Sequence, residues 1–353
     1  MENQYLIVGQ GLAGSLLGYE MYKAGVNFTI ISNPSISKAT DVAAGMYNPL
    51  VFKRLTKSWM VDELLPVMTN KYKTLEKEMG LQLLYPLDII KPLVNNEIKI
   101  WEDRIFEGNF SDYIVGIGND FIGKGLTGLG SFGRVTNSGY VHLGNLMKGL
   151  RDFFQSKGVL IESEFKYKDL GFINGDVTWH GMKTKTIVFC EGYHAHKNPY
   201  FKGIGFKPTK GELLEIECEE LSEEYILNKN LFVMPVGNHK FKVGATYDWE
   251  NLNEELTMEA RVDLLERLDK IISLPYTVLN HWAGVRPTIK DRRPVLGRHP
   301  AHKQIAIFNG LGTKGVMLAP YFAQEMIRSL LFKNYPLTKE VDIRRFFQNQ
   351  ALS

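Results

Sequence analysis

The first 32 residues leave few choices of fold, because they predict a strand, a glycine-rich turn, a helix and a second strand in direct succession. Residues 5–8 are a short apolar run of the kind that is buried in a parallel sheet. Residues 15–23 have the pattern of an amphipathic helix, and residues 27–32 have that of a second strand. The turn contains three glycines in the spacing Gly-x-Gly-x-x-Gly, namely Gly9, Gly11 and Gly14. This succession predicts a βαβ unit.

Each glycine of this turn has a physical purpose at a dinucleotide site. Gly9 permits the sharp turn, Gly11 lets the backbone approach a pyrophosphate, and Gly14 lets the helix and strand pack closely. The helix N-terminus adds free N–H groups and the positive end of its dipole, so Leu12 and Ala13 belong to the expected binding turn. A tight structural turn without a ligand is the alternative interpretation.

The end of the second predicted strand departs from the usual dinucleotide pattern. An acidic residue about 20 positions after the glycine turn normally binds the ribose hydroxyls of the adenosine half. This chain has Ser32 and Asn33 there. Both side chains can hydrogen-bond to a ribose, but without the strength that a charged carboxylate adds. We therefore expect Ser32 and Asn33 to contact the cofactor, and either adenosine binding is looser than usual or Asn33 takes over the role of the acidic ligand.

The composition is typical of a globular protein. The chain has 353 residues, which suggests two domains or one large domain with an insertion. Its formal net charge of +3 is weak support for a polyanionic partner, and its two cysteines cannot form a disulfide framework or a four-thiolate zinc site. The histidines occur without an accompanying set of carboxylates or thiolates, so no metal site is predicted. No secretory leader or membrane span is visible in the sequence, which predicts a cytoplasmic protein.

Segments further along the chain carry a family resemblance. The matching segments, in chain order, are residues 43–49, 208–212, 234–237, 243–247, 282–297 and 310–320. The stretch Gly284-Val285-Arg286-Pro287, continued by Asp291, Pro294 and Gly297, is close to a signature of one flavoprotein group. Together with the N-terminal turn, these segments resemble the D-amino-acid oxidase superfamily of FAD enzymes, to which glycine oxidases and sarcosine oxidases belong.

The resemblance implies an α/β fold with a Rossmann-like FAD-binding domain of the glutathione-reductase type. A substrate domain built on a mostly antiparallel sheet would be inserted into it. Residues 1–80, 140–200 and 284–353 would form the discontinuous FAD-binding domain, and residues 81–139 and 201–283 the substrate domain. Between residues 81 and 120 the sequence shows only short strand-like runs, so we expect strands there.

The resemblance also implies which residues bind FAD. Lys38, Ala39 and Thr40 would lie near the pyrophosphate and ribityl chain. Ala44, Gly45 and Met46 would pass under the isoalloxazine ring, and Gly192 would lie on the adenine side. The closing turn would supply the remaining contacts, from Gly310, Gly312, Thr313, Lys314, Gly315 and Val316. Neither cysteine lies in an attachment motif, so FAD is expected to bind non-covalently.

Lys314 and the helix that begins near Val316 would stabilise negative charge on the reduced ring. A solvated surface lysine is the alternative for Lys314.

Arg286 would bind a substrate carboxylate, because a planar fork of donors suits bidentate capture of that group. A buried ion pair with Asp291 or a neighbouring residue is the alternative for Arg286. Tyr247 is expected to be either a second substrate contact or an ordinary core tyrosine.

These implications predict oxidation of the C–N bond of an amino acid, or of a secondary amine bearing a carboxylate, by hydride transfer to flavin N5. Oxygen and a quinone-type carrier both remain open as the electron acceptor. One alternative to such an enzyme is a non-catalytic dinucleotide-binding module.

The main alternative to a small amine is a nucleic-acid substrate. Residues 46–49 and 312–316 are also similar to the flavin domain of the bacterial enzyme that modifies the tRNA wobble uridine, which oxidises a carboxymethylaminomethyl group. A basic run could then bind phosphates while an aromatic residue stacks on a base. Its members are Lys197, Lys202, Lys207 and Lys210, with Tyr200, Phe201 and Phe206 between them. A solvated connection between domains is the other interpretation of this run.

Overall fold

The structure is a computed structural model that describes residues 3–119, 123–126 and 130–347. Four short stretches of the expected domain ranges lie outside these described residues, namely residues 1–2, 120–122, 127–129 and 348–353.

The strands are numbered in chain order. They are β1 (Asn3–Val8), β2 (Phe28–Ser32), β3 (Met46–Tyr47), β4 (Leu50–Val51), β5 (Thr56–Lys57), β6 (Leu84–Pro86), β7 (Asp88–Pro92), β8 (Ile114–Gly118), β9 (Phe132–Val135), β10 (Gly139–Val141), β11 (Leu160–Glu162), β12 (Leu170–Ile173), β13 (Asp176–Trp179), β14 (Met182–Phe189), β15 (Thr209–Glu217), β16 (Tyr225–Lys229), β17 (Leu231–Gly237), β18 (Lys240–Gly244), β19 (Thr277–Arg286), β20 (Val295–Arg298) and β21 (Ile305–Asn309).

The α-helices are numbered in the same way. They are α1 (Leu12–Lys23), α2 (Ala39–Val42), α3 (Val61–Met79), α4 (Asn95–Phe106), α5 (Leu143–Ser156), α6 (Met258–Asp269) and α7 (Gly315–Leu331). Within the described residues, no helix combines the length and the apolar character that crossing a bilayer requires.

Helix α4 corrects the expectation of strands alone between residues 81 and 120. Ile98 and Ile100 flank Lys99, and this alternation of apolar and polar residues is typical of a strand. The segment nevertheless begins a helix, because the Glu97 carboxylate accepts a hydrogen bond from the Val94 N–H over 3.0 Å. Trp101 alone among the helix residues is buried, so the apolar pattern was too weak to reveal the helical period.

The first sheet forms the predicted βαβ unit and extends it. Its main strand order is β11-β2-β1-β14-β13-β12, and β21 pairs with β14 and β20. Strands β11, β2, β1, β14 and β21 run parallel. All five residues of β2 are buried, which explains why apolar and polar residues do not alternate along it. Helices α1 and α7 pack against each other beside this sheet.

The second sheet has the order β19-β15-β18-β17-β16-β7-β9-β8. All of its neighbouring pairs are antiparallel except β16 with β7. One face packs against α6, where Leu214 and Val243 share a buried core with Leu264. Together the two sheets confirm the predicted class, an α/β fold with an inserted, mostly antiparallel sheet.

The two sheets also bear on the domain boundaries. All strands of the first sheet lie within residues 1–80, 140–200 and 284–353. The strands of the second sheet lie within residues 81–139 and 201–283, except that β19 extends to Arg286. We propose this division into two domains, with β10 and β19 each crossing a boundary.

Candidate active site

A cavity of about 700 Å³ opens where the carboxyl ends of the parallel strands meet the second sheet. This volume is within the range of about 300–1,000 Å³ that is usual for ligand sites. The ends of β1 and β2 and the first residues of α1 and α7 line it on one side. Residues of β15, β17 and β19 line the other side.

The structure brings nearly all of the sequence-predicted site residues together around this cavity. Those that line it are Gly9, Gly11, Leu12, Ala13, Ser32, Asn33, Lys38, Ala39, Thr40, Ala44, Gly45, Met46, Gly192, Tyr247, Arg286, Gly312, Thr313, Lys314, Gly315 and Val316. Gly14 and Gly310 are not part of the lining. Both lie behind it, and a Cβ on Gly310 would be 2.4 Å from the Ile289 side chain.

The glycine turn is packed as tightly as a dinucleotide cradle requires. Gly9 has a φ of +101°, and a Cβ there would lie 2.4 Å from the carbonyl oxygen of Cys190. A Cβ on Gly14 would lie 1.9 Å from the carbonyl oxygen of Gly9. Real Cβ atoms do not approach backbone so closely, so only glycine fits at either position. Gly9 therefore shapes the turn and Gly14 lets α1 pack against it.

Two helix N-termini face the same cavity. Helix α1 starts after Gly11, and helix α7 starts after Lys314. Neither helix has an acidic residue in its first turn that would neutralise its dipole. The Leu12 N–H donates to Thr40 Oγ1 over 3.3 Å, and the two positive dipole ends favour an anionic ligand such as a pyrophosphate. Together with the glycine cradle, this donor set fits a dinucleotide.

The adenosine end has no carboxylate at the end of β2. The Ser32 side chain is 3% exposed, and within the described residues its Oγ has no hydrogen-bond partner. The Asn33 Oδ1 instead accepts a hydrogen bond from the Ser35 N–H over 2.9 Å. Asn33 thus stabilises a local turn, which leaves Ser32 as the more available replacement of the two.

Lys314 is held inside the site by oxygen acceptors. Its Nζ donates to the carbonyl oxygen of Asn48 over 3.2 Å and to the Ser58 hydroxyl. Burial lowers the pKa of Lys314 to about 8. The solvated surface lysine considered from the sequence is therefore wrong, and the cavity has a cation that can lose its charge in mildly alkaline solution.

This lowered pKa predicts a pH dependence of folding. Because the pKa of Lys314 falls from 10.5 to about 8 on folding, the unfolded chain binds more protons between these values. The free energy of unfolding of the apoprotein should therefore rise as pH increases from 8 towards 10.5, by roughly 1–3 kcal/mol from this group. Denaturant unfolding at several pH values measures it. The variant Lys314→Met should lack this contribution, and identical pH profiles for the two proteins would contradict the prediction.

Arg286 has no carboxylate partner among the described residues. Its guanidinium donates only to backbone carbonyl oxygens, those of Lys210 over 3.2 Å and Thr246 over 3.4 Å. Asp291, the alternative partner, instead pairs with Arg345 over 2.9 Å. Burial lowers the pKa of Arg286, which reflects the cost of removing its charge from water. An anionic group bound in the cavity would compensate for this cost.

Tyr247 is not a core residue, because 57% of its surface is exposed. Its ring lies against Arg286, with 4.6 Å between the guanidinium carbon and the ring centroid. Gly211 also lies close to the guanidinium, because a Cβ there would be 2.0 Å from Arg286 Nη2. Gly211 thus leaves room for the guanidinium, and the Tyr247 ring packs against it.

Sequence reasoning missed the apolar wall of the cavity. Leu50, Leu213 and Phe232 line it, and the Phe232 ring lies beside Gly244. Leu213 and Phe232 both pair in register with Gly244, from the neighbouring strands β15 and β17. Such strand pairing has no local signature, so nothing in the sequence could have brought these residues together. Among the described residues, no cluster of three or more His, Cys, Asp or Glu side chains could hold a metal ion.

Comparisons with known proteins agree with this architecture. The FAD dependent oxidoreductase family, abbreviated DAO, matches residues 4–328. A glycine oxidase from Bacillus licheniformis is 23% identical over 98% of both chains. The crystal structure of glycine oxidase from Geobacillus kaustophilus superposes with a TM-score of 0.81 at 19% identity, covering 98% of both chains.

A third relative combines two activities in one chain. The tRNA 5-methylaminomethyl-2-thiouridine biosynthesis bifunctional protein MnmC of Legionella pneumophila is 23% identical. The match covers 85% of this chain and only 46% of that protein. Because the family match spans nearly the whole chain, the protein belongs to the DAO family of FAD-dependent oxidoreductases and is an enzyme with FAD as its cofactor.

Proposed function

We propose that the enzyme oxidises the C–N bond of an amino acid, or of a secondary amine that carries a carboxylate. The observation that carries this proposal is the guanidinium of Arg286, which lines the cavity without a carboxylate partner in the described chain. A charge removed from water is costly unless an opposite charge compensates it. A substrate carboxylate is the natural counter-charge, because its two oxygens match the donor fork.

The proposed reaction converts an amine into an imine. The chemistry that FAD would supply is two-electron oxidation, in which the C–H bond next to nitrogen breaks and its electron pair leaves as a hydride. The nitrogen lone pair would form the new C=N bond, and the nitrogen would release a proton to solvent. Arg286 would fix the carboxylate, so the carbon beside it is held in one orientation. Leu213 and Phe232 would exclude water from the reacting carbon.

We further propose that the cavity residues predicted from the sequence hold FAD. Gly11, Leu12 and Ala13 would bind the pyrophosphate at the N-terminus of α1. Ser32 would contact the adenosine ribose in place of the usual carboxylate. Lys314, at the N-terminus of α7, would provide positive charge near the flavin ring.

The alternative substrate, a modified uridine in tRNA, has less support. The basic run that would bind RNA is not a continuous surface, because Phe201 and Lys210 are each only 1% exposed. Phe201 belongs to a buried apolar core, and Lys210 lies under a loop of the second sheet. Lys197, Lys202 and Lys207 remain exposed, but without the buried pair they offer few contacts.

A panel of matched amines tests the proposal. Glycine, sarcosine and proline are mixed anaerobically with the holoenzyme, and their counterparts methylamine, dimethylamine and pyrrolidine serve as controls without a carboxylate. We expect at least one carboxylated compound to bleach the flavin absorbance roughly 30-fold or more faster than its control. Equal rates within every pair would overturn the proposal. Binding of total tRNA that weakens steeply with salt would instead support the RNA substrate.

A further inference from the structure

Strand β15 carries two buried charged residues that take no direct part in the proposed reaction. They lie beneath the loop of residues 246–257. Lys210 is 1% exposed and Glu212 is 2% exposed. Lys210 Nζ lies 3.4 Å from Glu212 Oε1, and His281 Nε2 lies 2.9 Å from Glu212 Oε2. Apolar residues of similar size are often as stabilising as a buried ion pair, so stability alone does not account for this pair.

Glu212 holds both ends of the loop formed by residues 246–257. At the first end, its backbone N–H donates to the Thr246 hydroxyl over 2.9 Å, and its carbonyl oxygen accepts from the Thr246 N–H over 3.1 Å. At the second end, its carboxylate accepts from the Thr257 hydroxyl over 2.8 Å and from the Thr257 N–H over 3.1 Å. One residue therefore closes the loop.

Lys210 holds the middle of the same loop. Its Nζ donates to Asn253 Oδ1 over 3.0 Å and to the carbonyl oxygen of Glu255. Its backbone exchanges two hydrogen bonds with Asp248, over 2.8 and 3.0 Å. Its own carbonyl oxygen is an acceptor for Arg286. The lysine thus joins the loop to the guanidinium.

The loop has little apolar anchoring of its own. Tyr247 and Trp249 are each 57% exposed, and their rings stack on each other at a centroid distance of 6.1 Å. Yet the loop supplies two of the features that orient Arg286, the Thr246 carbonyl oxygen and the Tyr247 ring. Its conformation therefore depends on polar contacts. Besides those with Lys210 and Glu212, the Tyr193 hydroxyl donates to the Leu252 carbonyl oxygen over 2.8 Å, and the Asp248 carboxylate accepts from N–H groups within the loop.

We propose that Lys210 and Glu212 are positioning residues that hold the loop of residues 246–257 over Arg286 and thereby fix the guanidinium for a carboxylate. This inference rests on the proposed function. It predicts that the pair governs carboxylate binding while FAD binding, which we propose for the glycine turn and the N-termini of α1 and α7, stays unchanged.

The test compares holoenzymes carrying Lys210→Met, Glu212→Gln and both substitutions. Each single variant breaks the Lys210–Glu212 pair and leaves one buried charge with fewer partners, so a lowered melting temperature is expected from it whatever its task. The double variant removes both charges and should recover much of the melting temperature. It still lacks the lysine contacts to the loop, so its carboxylate affinity should stay low.

Two readouts follow the loop and the site separately. Acetate, used as a carboxylate probe, is titrated against the flavin absorbance, and chymotrypsin cleavage at Tyr247 and Trp249 reports on the loop. We expect the double variant to bind acetate roughly 10- to 100-fold more weakly and to be cleaved faster, with the FAD content of the wild type. The matched control is the double variant Lys240→Met with Glu217→Gln. These two residues pair in register at the other end of β15 and β18. This control should change neither the acetate affinity nor the rate of loop cleavage.

Wild-type acetate affinity in the double variant would overturn the inference, because the pair would then serve stability alone. Unchanged loop cleavage in that variant would overturn it as well. Failure of the proposed function looks different. In that case the wild-type enzyme itself would neither bind acetate nor oxidise a carboxylated amine, while the cleavage assay would still show whether the two residues hold the loop.

Discussion

Replacing Arg286 with alanine is expected to raise the KM for the best carboxylated amine by roughly 30- to 1,000-fold, which is the usual effect of removing one partner of a buried charge pair. The bound FAD should remain, since Arg286 lies on β19 and the glycine turn lies on the first sheet. Steady-state kinetics and the flavin absorbance of the purified variant measure the two quantities.

Two further variants make this result specific. Arg286→Lys keeps the charge but loses the planar donor fork, so its KM should lie between those of the wild type and the alanine variant. Arg134→Ala removes an exposed arginine of β9 that pairs with Asp88, and it should leave the KM unchanged. A KM in Arg286→Ala equal to that of the wild type would show that another group binds the carboxylate.

The N-terminal part of the fold was predictable because its signals are local. The strand, the turn at Gly9–Gly14 and the helix lie within about two dozen residues, and each has its own pattern of periodicity or turn chemistry. The family resemblance added the distant segments that line the cavity. Their positions around one site follow from the fold they share with known flavoproteins.

The environment of the same residues was not predictable, because it depends on contacts between distant parts of the chain. Ser58, which accepts a hydrogen bond from Lys314, is 256 residues away from it in sequence. Thr257 reaches Glu212 across 45 residues, and no spacing rule connects them. The exposure of individual side chains could not be predicted from the sequence either. Phe201 and Lys210 look like surface residues in a basic run, yet strand pairing and core packing bury both.

Replacing Gly11 with alanine is expected to weaken FAD binding by roughly 10- to 100-fold while leaving the apoprotein folded. A Cβ at Gly11 would meet only Thr40 Oγ1, at an ordinary contact distance of 3.7 Å, and its φ of −83° suits any residue. The apoprotein should therefore lose no more than about 1 kcal/mol, the usual scale of an N-cap substitution. The added methyl group would instead occupy space that we propose for the pyrophosphate, and overpacking of this kind costs about 1–3 kcal/mol.

Two other alanine variants separate this effect from damage to the fold. Gly14→Ala places a Cβ 1.9 Å from the Gly9 carbonyl oxygen, so it should lower the melting temperature of the apoprotein as well as the FAD affinity. Gly205→Ala lies outside the cavity lining, with its nearest contact at 3.7 Å, and should change neither quantity. Fluorescence titration of FAD and thermal unfolding of the apoprotein measure both. If Gly11→Ala binds FAD as tightly as the wild type, the backbone at Gly11 does not approach the cofactor, and the glycine turn is a structural feature alone.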